Sequence, residues 1–567
     1  MDLQRNILIV ALLVVSWLLF VSWQNEYGQN ATINQAATQP AANTSAGTQT
    51  PAITSAAESG DLADVPAVPV VPAVPEVATP QASRVVSVRT DVLNLEIDLY
   101  GGDITRLTLP KYPQALNTPD SYVQLMTTGA TTYLAQSGLV VTQGPAIDAG
   151  TTRASYTTRT NHFALDDGKD TLEVVLSLPE QNGIAIEKVY RFRRGDYLVD
   201  VFWRVRNGST EPWAGLMFGQ LKRDGSGDPS HPGGGGFFST SPTYLGAAYY
   251  SNEAVYNKAK LTDIEEAPVK LEAKGGWIAF IQHYFIGAWI PPQDQINNFT
   301  TRYRKEDRTY LFGFTSPQVT VAPGTTQEIG AGFYAGPKIQ DHLKKISKGL
   351  DLTVDYGWFW FISQPLLWLL THIEQIFGNW GVAIILLTVL VKALFFYPSH
   401  ISYRSMAHMR RVTPELTRIR DEYKNDRQKQ SQEMLALYRK EKINPLGGCL
   451  PILIQMPVFI ALYWVLMESV ELRQAPFMFW IHDLSAMDPY FVLPILMGVS
   501  MWYQTRLNPA PPDPMQAKMM QWLPWIFTVF FLFFASGLVL YWLVNNILSI
   551  AQQWFITKKV EKEHAKA

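Results

Sequence analysis

Trp380-Gly-Val-Ala-Ile-Ile-Leu-Leu-Thr-Val-Leu-Val-Lys392-Ala-Leu-Phe-Phe-Tyr397 is an apolar stretch with a single cation inside it. As a helix it would extend roughly 27 Å at about 1.5 Å per residue, close to the ~30 Å of a hydrocarbon core. An ammonium in hydrocarbon costs roughly 2.5 to 3.5 kcal/mol on insertion scales, so a lysine at this depth marks a polar cavity unless its stem can reach water. Only Ala393 to Tyr397 separate it from Pro398. It therefore sits roughly 7 to 8 Å below the expected helix end, within snorkelling distance of the interface. Two readings stand, a cation lining a cavity and a side chain stretched to the surface; on either one the segment is a membrane helix.

The rest of the chain is divided in character. Its 567 residues carry a net charge of −2, with 47% hydrophobic and 17% charged residues, which suits a membrane part joined to a water-soluble part. Nothing in the overall charge points to DNA as a partner. The one cysteine, Cys449, cannot form an intramolecular disulfide. The nine histidines include no HExxH and no set at ligand spacing, so no metal or other cofactor is expected.

Residues 1–5 precede an apolar run at 6–23 that is longer than a usual signal-peptide core and is followed by no small-x-small cleavage signal, so an uncleaved anchor is expected. Residues 24–83 are rich in Ala, Thr, Ser and Pro and include Val65-Pro-Ala-Val-Pro-Val-Val-Pro-Ala-Val-Pro75, the composition of an extended tether. From 84 to 350 the pattern alternates with period two. Leu93, Leu95, Ile97 and Leu99 alternate with polar residues, as do Val199, Val201, Trp203 and Val205 before Asn207-Gly208. Many such segments predict a large antiparallel β-sandwich, closed by a helix near 338–348. The run Gly233-Gly-Gly-Gly236 lacks the Lys-Ser/Thr of a phosphate loop and reads as a plain loop, and no carboxylate pair with a fixed separation emerges from the strands.

Residues 356–378 form an aromatic-rich amphipathic segment. Leu366, Leu369, Leu370, Ile373 and Phe377 lie at helical spacing opposite His372, Glu374 and Gln375, as in a helix lying in the membrane interface. Beyond it, apolar runs at 380–397, 447–467, 490–503 and 522–555 predict a transmembrane core over 379–555. The last run is too long for one span and is broken at Ala535-Ser536-Gly537. With the anchor the count is six spans, five of them in the core. Residues 400–444 carry eleven basic residues against Glu415, Asp421, Glu422, Asp426, Glu433 and Glu441, and Lys558, Lys559, Lys562 and Lys566 mark the tail at 556–567. That bias puts both termini on the cytoplasmic side.

Within 400–444, Met406, Met409, Leu416, Ile419 and Tyr423, then Met434, Leu437 and Tyr438, recur at three- and four-residue steps around Asn425-Asp426, predicting a helical hairpin. Its methionines suit either a simple packing seam or adaptable contact with varied apolar segments. Inside the spans, Thr388 lies one turn before Lys392 on the same face and Gln455 lies between Pro451 and Pro457. Both are candidates for the wall of a polar groove, although Thr388 could merely bond its own backbone.

Asn379-Trp-Gly381, Asn444-Pro-Leu-Gly-Gly-Cys-Leu-Pro451 with Gln455-Met-Pro457, Leu472-Arg-Gln-Ala-Pro476, Trp480-Ile-His-Asp-Leu-Ser485, Asp513-Pro-Met-Gln516 and Ser536-Gly-Leu-Val-Leu-Tyr541 together resemble the YidC/Oxa membrane protein insertases. The tethered domain, with Lys274-Gly-Gly-Trp277, resembles that of the Gram-negative type, which implies a mutarotase-like supersandwich in the periplasm. The resemblance implies a multi-pass protein of the bacterial inner membrane that is not an enzyme. It would take nascent membrane proteins from the cytoplasm, alone or beside the Sec translocon, and pass them to lipid through a groove of Lys392, Thr388, Gln455 and Trp542. Ribosome, targeting factors and membrane lipids are the further partners implied, and Met406, Met409 and Met434 would line the receiving hairpin. The intramembrane cation of bacterial relatives is usually arginine; Lys392 stands at that position here and supplies a point charge instead of a fork. A sugar-binding or sugar-processing role for the sandwich is the alternative.

Overall fold

The computed structural model describes residues 84–116, 118–150, 152–228, 244–441, 450–508 and 514–565. The expected anchor at 6–23, the tether, the Gly233–Gly236 loop, Cys449 and most of the 444–451 motif lie outside the described residues.

Two sheets, of eleven and eight strands, form the expected sandwich; their pairings are antiparallel except for a short parallel one between Val85–Arg89 and His162–Ala164. The alternation read from the sequence is the reason. In the strand Leu198–Asn207, Val199, Val201, Trp203 and Val205 point into the core with no exposed surface. Phe202, on the other face, is buried as well, because the Arg191 guanidinium lies 4.7 Å from its ring centre and Arg204 6.0 Å. Trp203, Trp213, Trp277 and Trp289 are fully buried, each contributing on the order of 3 kcal/mol of apolar transfer.

One inward position breaks the apolar rule. In the strand Ile184–Arg193 the core-facing series Ile184, Ile186, Lys188, Tyr190, Phe192 places a lysine in the sandwich interior with no exposed surface. Its Nζ donates to the carbonyls of Gly101 (3.0 Å), Gly102 (2.8 Å) and Ser137 (2.9 Å). Nearby, Arg153 pairs with Asp103 at 2.8 Å and Asp148 at 2.9 Å. Burial draws the Lys188 pKa down to about 7 despite the field of Asp103.

After two short helices, α1 (Leu261–Glu266) and α2 (Gln340–Ile346), the chain becomes helical: α3 (Trp360–Phe377), α4 (Trp380–Leu394), α5 (Phe396–Glu422), α6 (Arg427–Lys440), α7 (Leu450–Glu468), α8 (Val492–Leu507), α9 (Pro514–Phe531) and α10 (Ser536–Ala565). In α3 the residues Leu366, Leu370 and Ile373 are buried against α4 and α7, whereas Trp360, Phe361 and Trp368 are exposed. Phe377, expected on the buried stripe, is 57% exposed, because the helix stops beside it at Gly378, whose φ of 64° only a glycine adopts freely. Among the described residues no single helix is long and apolar enough to cross a membrane by itself; α4 and α5, bent by 68° at Phe395, pass that test as a pair. The long last run divides as expected, with α9 ending at Phe531 and α10 starting at Ser536.

The loop between α7 and α8 organises the helical part. Asn379 caps α4 by accepting from Val382 N (3.0 Å) and donates to the Phe477 carbonyl (2.9 Å). Gly381 follows because a Cβ there would lie 2.0 Å from the Phe477 ring. The same loop receives α10: Ser536 N and Oγ both donate to Ala486 O at 2.7 Å, and Gly537 N donates to Leu484 O at 2.9 Å. Asp488, 1% exposed, accepts from Trp480 Nε1 and from the backbone of Tyr490 and Leu493.

The sandwich is joined to this loop and to the end of α7 by more than chain connectivity. Lys338, at the end of the sandwich, donates to Glu468 at 3.2 Å, with the two side chains 2% and 6% exposed. Arg473 donates to the carbonyls of Pro113 (2.8 Å) and Gln114 (3.1 Å), and His283 Nε2 lies 2.8 Å from Met467 O.

Candidate functional site: a buried cation among three helices

Lys392 lies in the last turn of α4, nearer the helix end than Pro398 suggested, because the helix stops at Leu394. Its side chain turns inward and is 8% exposed. Nζ donates to Ser549 Oγ on α10 at 2.7 Å and to Gln455 Oε1 on α7 at 3.3 Å. Both partners are neutral oxygens. The arrangement solvates a cation without neutralising it, which leaves its field available to an anion arriving from outside.

Gln455 thus meets Lys392, as its position in an apolar run suggested. Among the described residues its Nε2 is buried without a hydrogen-bond partner, as is Trp542 Nε1. Trp542 lies two turns before Ser549 on α10 and packs edge-on to Phe459 at 4.4 Å and against Phe531 at 5.4 Å, so it extends the site as an aromatic wall. Thr388 is fully buried, and its hydroxyl donates to the Ile384 carbonyl at 2.6 Å. It shares the face of Lys392, but its donor is used by its own helix.

The methionines divide. Met409 and Met434 pack with Val412, Tyr423 and Tyr438 against Leu416, Ile419 and Leu437, the seam between α5 and α6. Asp426 starts α6 by accepting from Lys429 N at 3.0 Å. Met406, which had been grouped with them, belongs elsewhere: it packs against Tyr403, Ala407, Ile556 and Val560, where the root of α5 meets α10. It is three residues before Met409 on the same side of α5, nearly one turn earlier, where that side meets α10 and not α6.

Ser549 is the site residue that sequence reasoning missed. The signal was a polar line in α10, Asn546, Ser549 and Gln553, at three- and four-residue steps inside an apolar helix, each at most 5% exposed. Asn546 donates to Ser500 Oγ (3.2 Å), and Gln553 to Leu507 O (3.3 Å) and Asn508 Oδ1 (3.0 Å) on the neighbouring α8 segment.

Residues 85–369 match the family model described as YidC periplasmic domain, and residues 372–563 match that described as 60Kd inner membrane protein. The membrane protein insertase YidC of Pseudomonas putida (strain W619) is 50% identical over 573 residues, covering all of both chains. That of Alcanivorax borkumensis is 49% identical over 583 residues, covering 99% of this chain and all of its own. Among solved structures, an active YidC insertase with its first transmembrane domain resolved covers 83% of this chain and 92% of its own at 19% identity, with a TM-score of 0.37. A galactose mutarotase related enzyme from Lactobacillus acidophilus covers 44% of this chain and 97% of its own at 9% identity, with a TM-score of 0.29. With two family models that together span 85–563 and relatives half identical along their whole length, the chain belongs to the family of YidC membrane protein insertases.

Proposed function

We propose that this insertase receives nascent single- and double-spanning proteins on the cytoplasmic side and releases them sideways into lipid, alone or beside the Sec translocon, without nucleotide hydrolysis. The observation that carries the reading is the Lys392 ammonium, held among Gln455 and Ser549 with no carboxylate partner among the described residues. A substrate's polar exported tail crosses partway in a hydrated groove around this cation, and water there satisfies the Gln455 and Trp542 donors. The apolar segment then partitions into lipid, the downhill step.

In this reading the chain crosses the bacterial inner membrane six times, counting the anchor expected at 6–23, with both termini in the cytoplasm; the basic residues of 400–444 and of the tail support that orientation. The helix α3, with Trp360, Phe361 and Trp368 exposed, rests on the periplasmic surface. The α5–α6 pair then lies in the cytoplasm, where Met409 and Met434 receive substrate and the surrounding basic residues meet ribosomal RNA, targeting factors or anionic lipid. Short helices support local thinning of the bilayer: α4, at 15 residues, is roughly 22 Å long against about 30 Å of hydrocarbon. A sugar-directed role for the sandwich is not favoured by the insertase relatives.

The test uses reconstituted vesicles and a substrate with an acidic exported tail. Lys392→Arg should insert it nearly as well as the parent and Lys392→Glu should lose it. Equal insertion by Lys392→Glu refutes the charge role.

A further inference from the structure

We infer that Ser549 is a positioning residue for the groove cation, holding the Lys392 ammonium at depth where its flexible stem would otherwise carry it to the interface. The inference rests on the insertase reading above and deepens it.

A serine hydroxyl has one proton and two lone pairs. The Ser549 proton is donated to Asn545 O on its own helix at 2.7 Å, so the oxygen is turned outward as an acceptor. Lys392 Nζ takes that acceptor at 2.7 Å, the shorter of its two contacts, with Gln455 Oε1 at 3.3 Å. The serine is itself fixed from two sides. It is 3% exposed, and the buried Tyr403, packed with Ala407, Ile556 and Val560 at the root of α5, lies beside the same hydroxyl. The Gln552 amide adds a second tie between α10 and the start of α5 by donating to Phe396 O at 3.2 Å.

Lysine has a four-carbon stem with free torsions, and Lys392 is two residues from the end of α4. Snorkelling is therefore the alternative open to it, and a single accepted hydrogen bond from a charged donor is large enough to decide between the two positions. Removing the Ser549 oxygen leaves only the longer contact to Gln455. The charge then spends most of its time at the membrane interface, and the groove loses the field that an acidic tail would meet. A neutral tail has no such requirement.

The experiment compares insertion of an acidic-tailed substrate with that of an otherwise identical neutral-tailed one, using the full chain in vesicles and protease protection of the tail as readout. Ser549→Ala should lower the acidic-to-neutral ratio by about fivefold to tenfold. Ser549→Thr, which keeps the oxygen, should restore it. An unchanged ratio in Ser549→Ala overturns the inference, as does a fall of both substrates together, which marks a packing role, or a failure of Ser549→Thr to rescue. Lys392→Glu is measured alongside. A lowered ratio there with none in Ser549→Ala overturns only this inference, whereas no effect of Lys392→Glu removes the charge role on which it rests.

Discussion

The Lys338–Glu468 pair gives the contact between sandwich and helices a measurable strength. Both groups are nearly sealed from water, at 2% and 6% side-chain exposure, and Lys338 Nζ also donates to the Thr353 carbonyl at 3.4 Å. Lys338→Met would leave the Glu468 carboxylate buried without its cation, a loss of about 3 to 5 kcal/mol. At 1.4 kcal/mol per tenfold, local opening of the interface becomes roughly 10² to 4 × 10³ times more frequent. Hydrogen exchange of the full-length protein in lipid discs reads this directly. The amides of Leu472, Arg473 and Ala475, bonded to Ser469, Val470 and Leu472, should exchange faster by a comparable factor, while the sandwich core keeps its protection. Lys338→Met combined with Glu468→Leu should recover most of the loss, because no buried charge is then left over. Unchanged protection in the single variant, or a double variant worse than the single, would refute the view that this ion pair fastens the two parts.

Three further outcomes concern one buried charge and two glycines. The folded pKa of Lys188, about 7, lies below the unfolded lysine value, so between pH 7 and 9 the unfolded chain binds more protons and stability rises with pH, by at most about 1.4 kcal/mol per unit. Exchange of the sandwich-core amides, corrected for intrinsic rates, should slow accordingly, and a Lys188→Met variant should lack that slope; an equal slope in both would show another group to be responsible. Gly381→Ala should push the 474–488 loop from the start of α4, since the new methyl would lie 2.0 Å from Phe477, and cost about 1 to 3 kcal/mol by thermal unfolding. Gly378→Ala, with open space around it, should show only the left-handed backbone cost of about 1 kcal/mol.

The sandwich was legible because most of its strands bury one face, and period two shows this directly, as at Val199 to Val205. What the period could not show is Lys188, whose place on the core face depends on carbonyls supplied by a turn at Gly101-Gly102, some 86 residues away. In the helical part, Lys392 and Gln455 announced themselves by being polar in apolar runs. Ser549 was overlooked because a single serine is cheap enough in a helix to pass as neutral filling; its signal lay in the line it forms with Asn546 and Gln553, and its distance to Lys392 gives it a role. Met406 packs apart from Met409 and Met434 for a related reason: helical spacing fixes which residues share a face of α5 but not which neighbour each turn of that face meets.

Placement of the cation also bounds what the proposed groove can do. At an effective dielectric near 20, an ammonium and a carboxylate 4 Å apart attract by about 4 kcal/mol. Moving one aspartate to the middle of a bilayer costs about 2.5 to 3.5 kcal/mol on insertion scales, so one lysine offsets about one acidic residue and not several. Lys392 meets this condition only while its own ammonium stays unneutralised, and both of its partners, Ser549 and Gln455, are neutral. An aspartate at position 549 would hold the lysine more tightly and remove that capacity. Neutral solvation of the charge is therefore the property the three helices supply together, and it explains why a hydroxyl and an amide suit this site better than a salt-bridge partner would.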